Sequence, residues 1–251
     1  MKSIRLLPIV CAAIFAAPAG AAESASAITA LETNKGPLLL HPIQHASFVM
    51  DWNGQTIYVD PVGDARLYAG LDAPDMVLLT HSHGDHLDTD TLAALDTDDA
   101  VMVMPQSVAD KLDTRYGSSR LIMANGDTQD SHGLSLHAVP MYNLPETPDS
   151  RHPKGWGNGY VLTMGDKRVY ISGDTEGTTE MRGLENIDLA LVCMNLPYTM
   201  DVQQAADAVA DFTPAVVYPY HYRGQDTERF KTLVNEAAPD VDVQLYDWYD
   251  G

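Results

Sequence analysis

Short apolar runs with interspersed polar residues fill most of the chain, and turn-forming residues interrupt them every few positions. This pattern predicts strands near PIQHASFVMDW (42–52), QTIYVD (55–60), DMVLLT (75–80), AVMVMP (100–105) and LSLHAVPM (134–141). Four more are predicted near GYVLTM (159–164), RVYISG (168–173), DLALVCM (188–194) and AVVYPY (215–220). Helical periodicity falls near 89–97, 105–113, 201–211 and 226–237, with Asp201 placed to cap the third. Strands interleaved with helices predict an α/β layered fold.

Two stretches echo each other. FVMDWNGQTIYVDP (48–61) reads as a hairpin turning at Asn53-Gly54 and ending in Asp60, and YVLTMGDKRVYISGDT (160–175) as one turning at Gly165-Asp166 and ending in Asp174. Each is followed later by an apolar strand running into histidine, DMVLLTHSH (75–83) and AVVYPYHY (215–222). The chain therefore reads as two similar β-rich halves that deliver polar side chains from their strand ends to a shared edge.

The first residues carry Lys2 and Arg5, an apolar run from Leu6, and Ala19-Gly20-Ala21 as a small-residue cut site. Residues 1–22 are thus expected to be a secretory signal and the protein exported, periplasmic or secreted, with an uncleaved N-terminal anchor as the alternative. Residues 23–36, small and polar, read as a leader, and 37–251 as one domain. The formal net charge of −20 argues against nucleic acid as a partner, because phosphate backbones would be repelled over most of the surface. Loss of Lys2 and Arg5 with the signal would take it to about −22. Cys11 would leave with the signal as well, so no intramolecular disulfide is open to the remaining Cys193, which reads as a core thiol.

Residues 80–88 read THSHGDHLD, three of the chain's nine histidines within six positions. If extended backbone persists past VLLT, His81 and His83 share a face. Gly84 then lets the chain turn, so that Asp85 and His86 point toward a second, adjacent position. One loop can therefore feed two neighbouring metal ions, and imidazole with carboxylate suits zinc, manganese or iron. His152, Asp174 and His221, each in a loop or at a strand end, are candidates for the remaining ligands.

The ordered series H-x-H-x-D-H, a distant His, a strand-end Gly-Asp and a late His resembles the metallo-β-lactamase superfamily. Within it, HASFVMDWNGQTIYVDPVGD, VPMYN, HPKGWGNGYV, YISGDTE and YTMDVQQAADAV are similar to the ascorbate-6-phosphate lactonase-like hydrolases. The resemblance covers roughly residues 39–224. It implies a four-layer αβ/βα sandwich and two divalent ions, zinc first, with manganese or iron as alternatives. His81, His83 and His152 would hold one ion, Asp85, His86 and His221 the other, and Asp174 would bridge them. Asp60 would brace the ligand loop by hydrogen bonds.

The activity so implied is hydrolysis of a small phosphoester, lactone or ester by a hydroxide shared between the ions, with Asp85 orienting it or moving its proton. Lys154 is a candidate for an anionic group on the substrate, or an ordinary solvated lysine; Tyr198 is a candidate pocket residue, or a packing one. CMNLPYTM, with Asn195, Leu196 and Pro197, stands where relatives have a glycine-rich stretch. His41 and His137 are expected to hydrogen-bond locally, His132 to be solvent-exposed, and His45 to be structural or near the site without being a ligand. The competing readings are a di-iron redox protein of the same fold and a non-catalytic metal- or ligand-binding protein. No stable membrane anchor is expected after signal cleavage.

Overall fold

The computed structural model describes residues 28–116 and 119–249; the expected signal at 1–22 lies outside the described residues. Two seven-stranded sheets repeat one plan. The first runs β1 (Ile28–Thr33), β2 (Gly36–Gln44), β3 (Ser47–Trp52), β4 (Gln55–Val59), β5 (Met76–Leu78), β6 (Val101–Met104) and β7 (Arg120–Ile122), each beside the next. The second runs β8 (Thr128–Ser131), β9 (Leu134–Met141), β10 (Gly157–Met164), β11 (Lys167–Ile171), β12 (Leu189–Cys193), β13 (Val216–Tyr220) and β14 (Asp242–Val243). In each sheet the first four strands form an antiparallel meander and the last four pair in parallel.

Both predicted hairpins form. Asn53 and Gly54 have φ of 52° and 74°, the left-handed pair that matches the twist of a two-residue hairpin, and Trp52 faces Gln55. Parallel neighbours require crossovers, and these carry the helices. In the first half they are α1 (Thr89–Ala94) and α2 (Gln106–Ala109); in the second they are α3 (Thr179–Arg182), α4 (Val202–Phe212) and α5 (Thr227–Ala237). Asp201 caps α4 by accepting from the Gln204 amide at 2.7 Å, and Asp226 caps α5 by accepting from Arg229 at 2.9 Å.

Alternation along the strands sets the layers. Phe48, Met50, Ile57, Val59 and Leu78 of the first sheet pack with the second sheet, whereas Val49, Tyr58, Val77, Met102 and Met104 pack with Leu92 and Val108 of α1 and α2. On the far side Tyr170 meets Phe212 of α4 edge to face, with ring centroids 5.9 Å apart. Helices, sheet, sheet and helices therefore stack as four layers, the αβ/βα sandwich that the resemblance implies. No described helix is long and apolar enough to cross a membrane.

Four expectations need correction. Residues 23–36 are not only a leader, because Ile28–Thr33 forms the edge strand β1; its small polar composition hides a strand that exists by pairing with β2. The strand expected over 42–52 is a hairpin bent at His45-Ala46, with His45 at φ 54°. Helix α3 was not expected, and at four residues it is too short to show periodicity. Finally, the pairing of β5 with β13 is off by one strand: in the repeated plan β5 corresponds to β12, and β13 corresponds to β6. The two hairpin-end acids, Asp60 and Asp174, do occupy equivalent places.

Candidate metal centre

The ends of β4, β5, β9, β11 and β13 open on one edge between the sheets, the edge at which side chains beyond parallel strands converge. His81, His83, Asp85 and His86 follow β5, His152 lies in the loop after β9, Asp174 follows β11 and His221 follows β13. Gly173 sets Asp174 in place: its φ is 59°, and a Cβ there would sit 2.7 Å from Met141 Sδ. Asp60, His45 and His221 also hold positive φ, 42°, 54° and 49°. Such backbone costs of order 1–3 kcal/mol per residue and persists where surrounding contacts fix it. Here the His221 amide donates to the His45 carbonyl at 3.1 Å.

The polar atoms of these side chains crowd together. Asp174 Oδ1 lies 3.2 Å from His86 Nε2 and 3.0 Å from His221 Nε2, and Asp174 Oδ2 lies 3.4 Å from His152 Nε2 and 4.0 Å from His81 Nε2. His86 Nε2 and His221 Nε2 are 3.3 Å apart. Yet His81 Nε2, His152 Nε2 and Asp174 Oδ1 are buried without a hydrogen-bond partner. Buried polar atoms are normally paired, so this cluster is built for something other than internal hydrogen bonds.

The opposite ring nitrogens explain how the cluster is held. Thr80 Oγ1 donates to Asp60 Oδ2 at 2.6 Å, which leaves it to accept from His81 Nδ1 at 3.0 Å. His86 Nδ1 donates to Asp60 Oδ2 at 2.8 Å, and His152 Nδ1 donates to Asn143 Oδ1 at 3.1 Å. The Asn143 amide is oriented by donating to the Tyr198 carbonyl at 2.8 Å. Protons on Nδ1 leave the Nε2 lone pairs of His81 and His152 turned toward the cluster, the tautomer that metal ligation needs. The same Nδ1 contact to Asp60 would leave Nε2 of His86 for a metal once its second proton is displaced. Burial pushes His81 well below its ordinary value and His152 down to about 4, so both stay neutral at neutral pH. Burial alone would lower His86 too, but Asp174 and Asp60 outweigh it and hold that imidazole well above its ordinary value. Burial would raise Asp174; His221 and His86 instead bring it well below the usual carboxylate range.

Three groups have ligand atoms within 4.8 Å of one another: His81, His83 and His152; His81, His86 and Asp174; and His45, Asp85 and His221. All seven residues expected as ligands fall in these groups, but the expected set of Asp85, His86 and His221 does not: His86 groups with His81 and Asp174, and His45 stands beside Asp85 and His221. The donor set, orphaned atoms and tautomers fit divalent metal ions.

Beyond Asp60, the sequence assigns no buttressing role to the residues that support this set. Asn143 and Thr80 fix imidazole tautomers, and the Trp156 ring lies 4.7 Å from that of His83. Asn195 Nδ2 lies 3.2 Å from His221 Nε2. His45 proves more central than expected. Tyr249 Oη accepts from the Arg223 amide at 2.9 Å and can donate to His45 Nδ1, also at 2.9 Å; His45 Nε2 then donates to Asp85 Oδ2 at 3.2 Å. In that tautomer His45 positions Asp85, in keeping with a near-site role. Nothing in the spacing of the chain ties position 45 to position 249.

Tyr198 is half-buried under Arg151, whose guanidinium lies 4.4 Å from its ring centroid. Lys154 departs from expectation: its ammonium sits 2.8 Å from Glu180 and 3.7 Å from Glu146, so its charge is already neutralised by carboxylates. His41 pairs with Asp51 at 2.8 Å, His137 with Thr128 at 3.1 Å and exposed His132 with Ser131 at 2.9 Å. A larger cavity of about 950 Å³, bordered by Asp188, Thr213 and Asp240, lies where β12 and β13 begin, at the ends of these strands away from the cluster. It contains none of the ligand groups.

Residues 40–221 match the family described as "Beta-lactamase superfamily domain". The chain belongs to the metallo-β-lactamase superfamily. A UPF0173 metal-dependent hydrolase of Methanopyrus kandleri is 30% identical over 215 residues, covering 80% of this chain and 93% of the relative. Among solved structures, a candidate metal-dependent hydrolase from Parabacteroides distasonis superposes with a TM-score of 0.80 at 34% identity, covering 90% of this chain and 99% of that one. Igni18, a metallo hydrolase from Ignicoccus hospitalis, gives 0.71 at 26% identity, covering 85% and 96%. As a superfamily member the chain carries His/Asp clusters that could bind metal, and its relatives bear the name metal-dependent hydrolase. These comparisons stop at that level and do not single out the lactonase-like branch.

Proposed function

We propose that this superfamily member is an exported, dinuclear metal-dependent hydrolase acting on a small phosphoester, lactone or ester. The observation that carries the reading is Asp174, whose two oxygens face different sets of imidazole nitrogens, His86 and His221 on Oδ1 and His152 and His81 on Oδ2. Bound divalent ions, zinc first, would supply Lewis acidity and lower the pKa of water to about 7. His81, His83 and His152 would hold one ion, and His86, His221 and Asp85 the other. Thr80 and Asn143 hold the Nδ1 protons of His81 and His152, and Asp60 that of His86, so that each would turn Nε2 to a metal. Asp85, held by His45 and half exposed at the cluster, would orient a water or pass on its proton. The apolar run and small-residue cut site of residues 1–22 support export.

The test is elemental analysis of the purified protein with turnover of bis(p-nitrophenyl) phosphate, a simple lactone and p-nitrophenyl acetate, before and after chelation. Two metal equivalents and chelator-sensitive hydrolysis are expected. Full activity after exhaustive chelation would overturn the reading. So would a coloured iron protein with no turnover, which is the outcome the redox alternative requires.

A further inference from the structure

Beside Asp85 the surface opens into a cavity of about 460 Å³ lined by Ile43, Val62, Leu67, Trp248, Tyr249 and Arg223, with His45 and Gln44 also on its wall. Its walls are largely apolar. Leu67, 40% exposed, adds an aliphatic face at the rim beside Ile43 and Val62. Two donors belong to this lining: the exposed Arg223 side chain, which makes no ion pair or side-chain hydrogen bond among the described residues, and the buried Trp248 indole Nε1–H, which has no partner. The carboxylate in the lining, Asp85, is engaged by His45.

The segment that forms this wall is firmly seated. Trp248 packs edge to face on Phe48 and Tyr220, with ring centroids 5.9 and 5.8 Å apart, and its carbonyl accepts from the His45 amide at 3.2 Å. The Arg223 backbone is tied to Tyr249 by the amide hydrogen bond to Oη. The cavity is therefore preformed beside a residue of the candidate metal centre.

We infer that this cavity is the substrate pocket, and that it selects a small amphiphilic anion: an aliphatic body over Ile43, Val62 and Leu67, with a carboxylate or phosphate oxygen group received by Arg223. This rests on the hydrolase reading above and names its substrate class. Overall charge gives a local cation a role. A chain at −20 repels anions at a distance, and a guanidinium at the mouth would draw an anionic group into this cavity alongside the ions of the centre. Lys154, neutralised by Glu180 and Glu146, does not supply that charge. An unpaired arginine beside apolar walls does, with two donors in a fork that matches a carboxylate or phosphate.

Calorimetric titration of the metal-loaded full chain with hexanoate, acetate, hexan-1-ol and hexylammonium tests this without turnover. Hexanoate should bind at least tenfold tighter than acetate and hexan-1-ol, and hexylammonium should not bind. Arg223→Gln should weaken hexanoate about tenfold, and Leu67→Ser should narrow the gap between hexanoate and acetate while leaving acetate unchanged. Equal affinities for hexanoate and acetate, or an Arg223→Gln protein indistinguishable from wild type, would overturn the pocket assignment. Hexyl phosphate following the hexanoate pattern with higher affinity would identify phosphate as the preferred anion. The two readings fail separately. The expected binding pattern with no turnover of phosphoester, lactone or ester rejects the hydrolase alone, and chelator-sensitive turnover with no chain-length dependence rejects the pocket alone.

Discussion

Replacing Asp60 by asparagine tests the tautomer logic of the centre without removing a ligand. Asp60 is fully buried and accepts three hydrogen bonds: Thr80 N at 2.8 Å on Oδ1, and Thr80 Oγ1 at 2.6 Å and His86 Nδ1 at 2.8 Å on Oδ2. Asparagine has nearly the same shape but one acceptor atom. If its NH₂ faces His86, the imidazole proton must move to Nε2, the nitrogen that points at Asp174, and ligation there is blocked. If the amide flips, its NH₂ opposes the Thr80 backbone N–H, and a buried donor is left unpaired at a cost of about 1–3 kcal/mol. Loss of a hydrogen-bond partner behind a metal-binding histidine typically lowers metal affinity about 10–100-fold. Asp60→Asn is therefore expected to keep the fold, lose about 1–3 kcal/mol of stability, and weaken the His86 side of the centre by that factor. Equilibrium dialysis against a competing chelator, followed by elemental analysis, gives the affinities, and denaturant unfolding gives the stability. Two metal equivalents bound with wild-type affinity would refute the reasoning.

The two sides of the centre should also respond differently to acid. Folded His152 is held down to about 4 and His81 well below its usual value, so protons do not compete for them until the pH nears the His152 value. His86 is held above its ordinary value, so its proton competes increasingly as the pH falls through neutrality. Metal content measured against pH should fall in two steps, the His86 side emptying first; a single step would contradict this. Cys193, its thiol pushed up to about 12 by burial, should resist a thiol-reactive disulfide reagent at pH 8 in the native protein and react on unfolding. Stoichiometric reaction in the native state would place it outside the core. Gly159→Ala would put a Cβ 2.8 Å from the Ser172 carbonyl oxygen and 2.9 Å from that of Ile171, both backbone atoms that cannot swing away. It should cost about 1–3 kcal/mol, read as a lower thermal midpoint, and an unchanged midpoint would show that the strands can part there.

Local chemistry in the sequence carried much of what mattered. Asn53-Gly54 needs left-handed backbone and so marks its hairpin, Asp201 marks a helix start, and H-x-H-G-D-H crowds donors at a spacing that has few uses other than ligation. These features depend on neighbours a few residues apart, and the chain alone determined them. The tertiary structure decided whatever depends on partners far along the chain. Ile28–Thr33 is a strand because β2 pairs with it, and Lys154 is neutralised because Glu180 lies beside it. His45 is turned toward Asp85 by a tyrosine 204 positions later. Arg223 acquires meaning when Trp248 and Leu67 are brought around it. A one-dimensional pattern records spacing within a segment, whereas a pocket or a charge balance is fixed by which segments the core packs together.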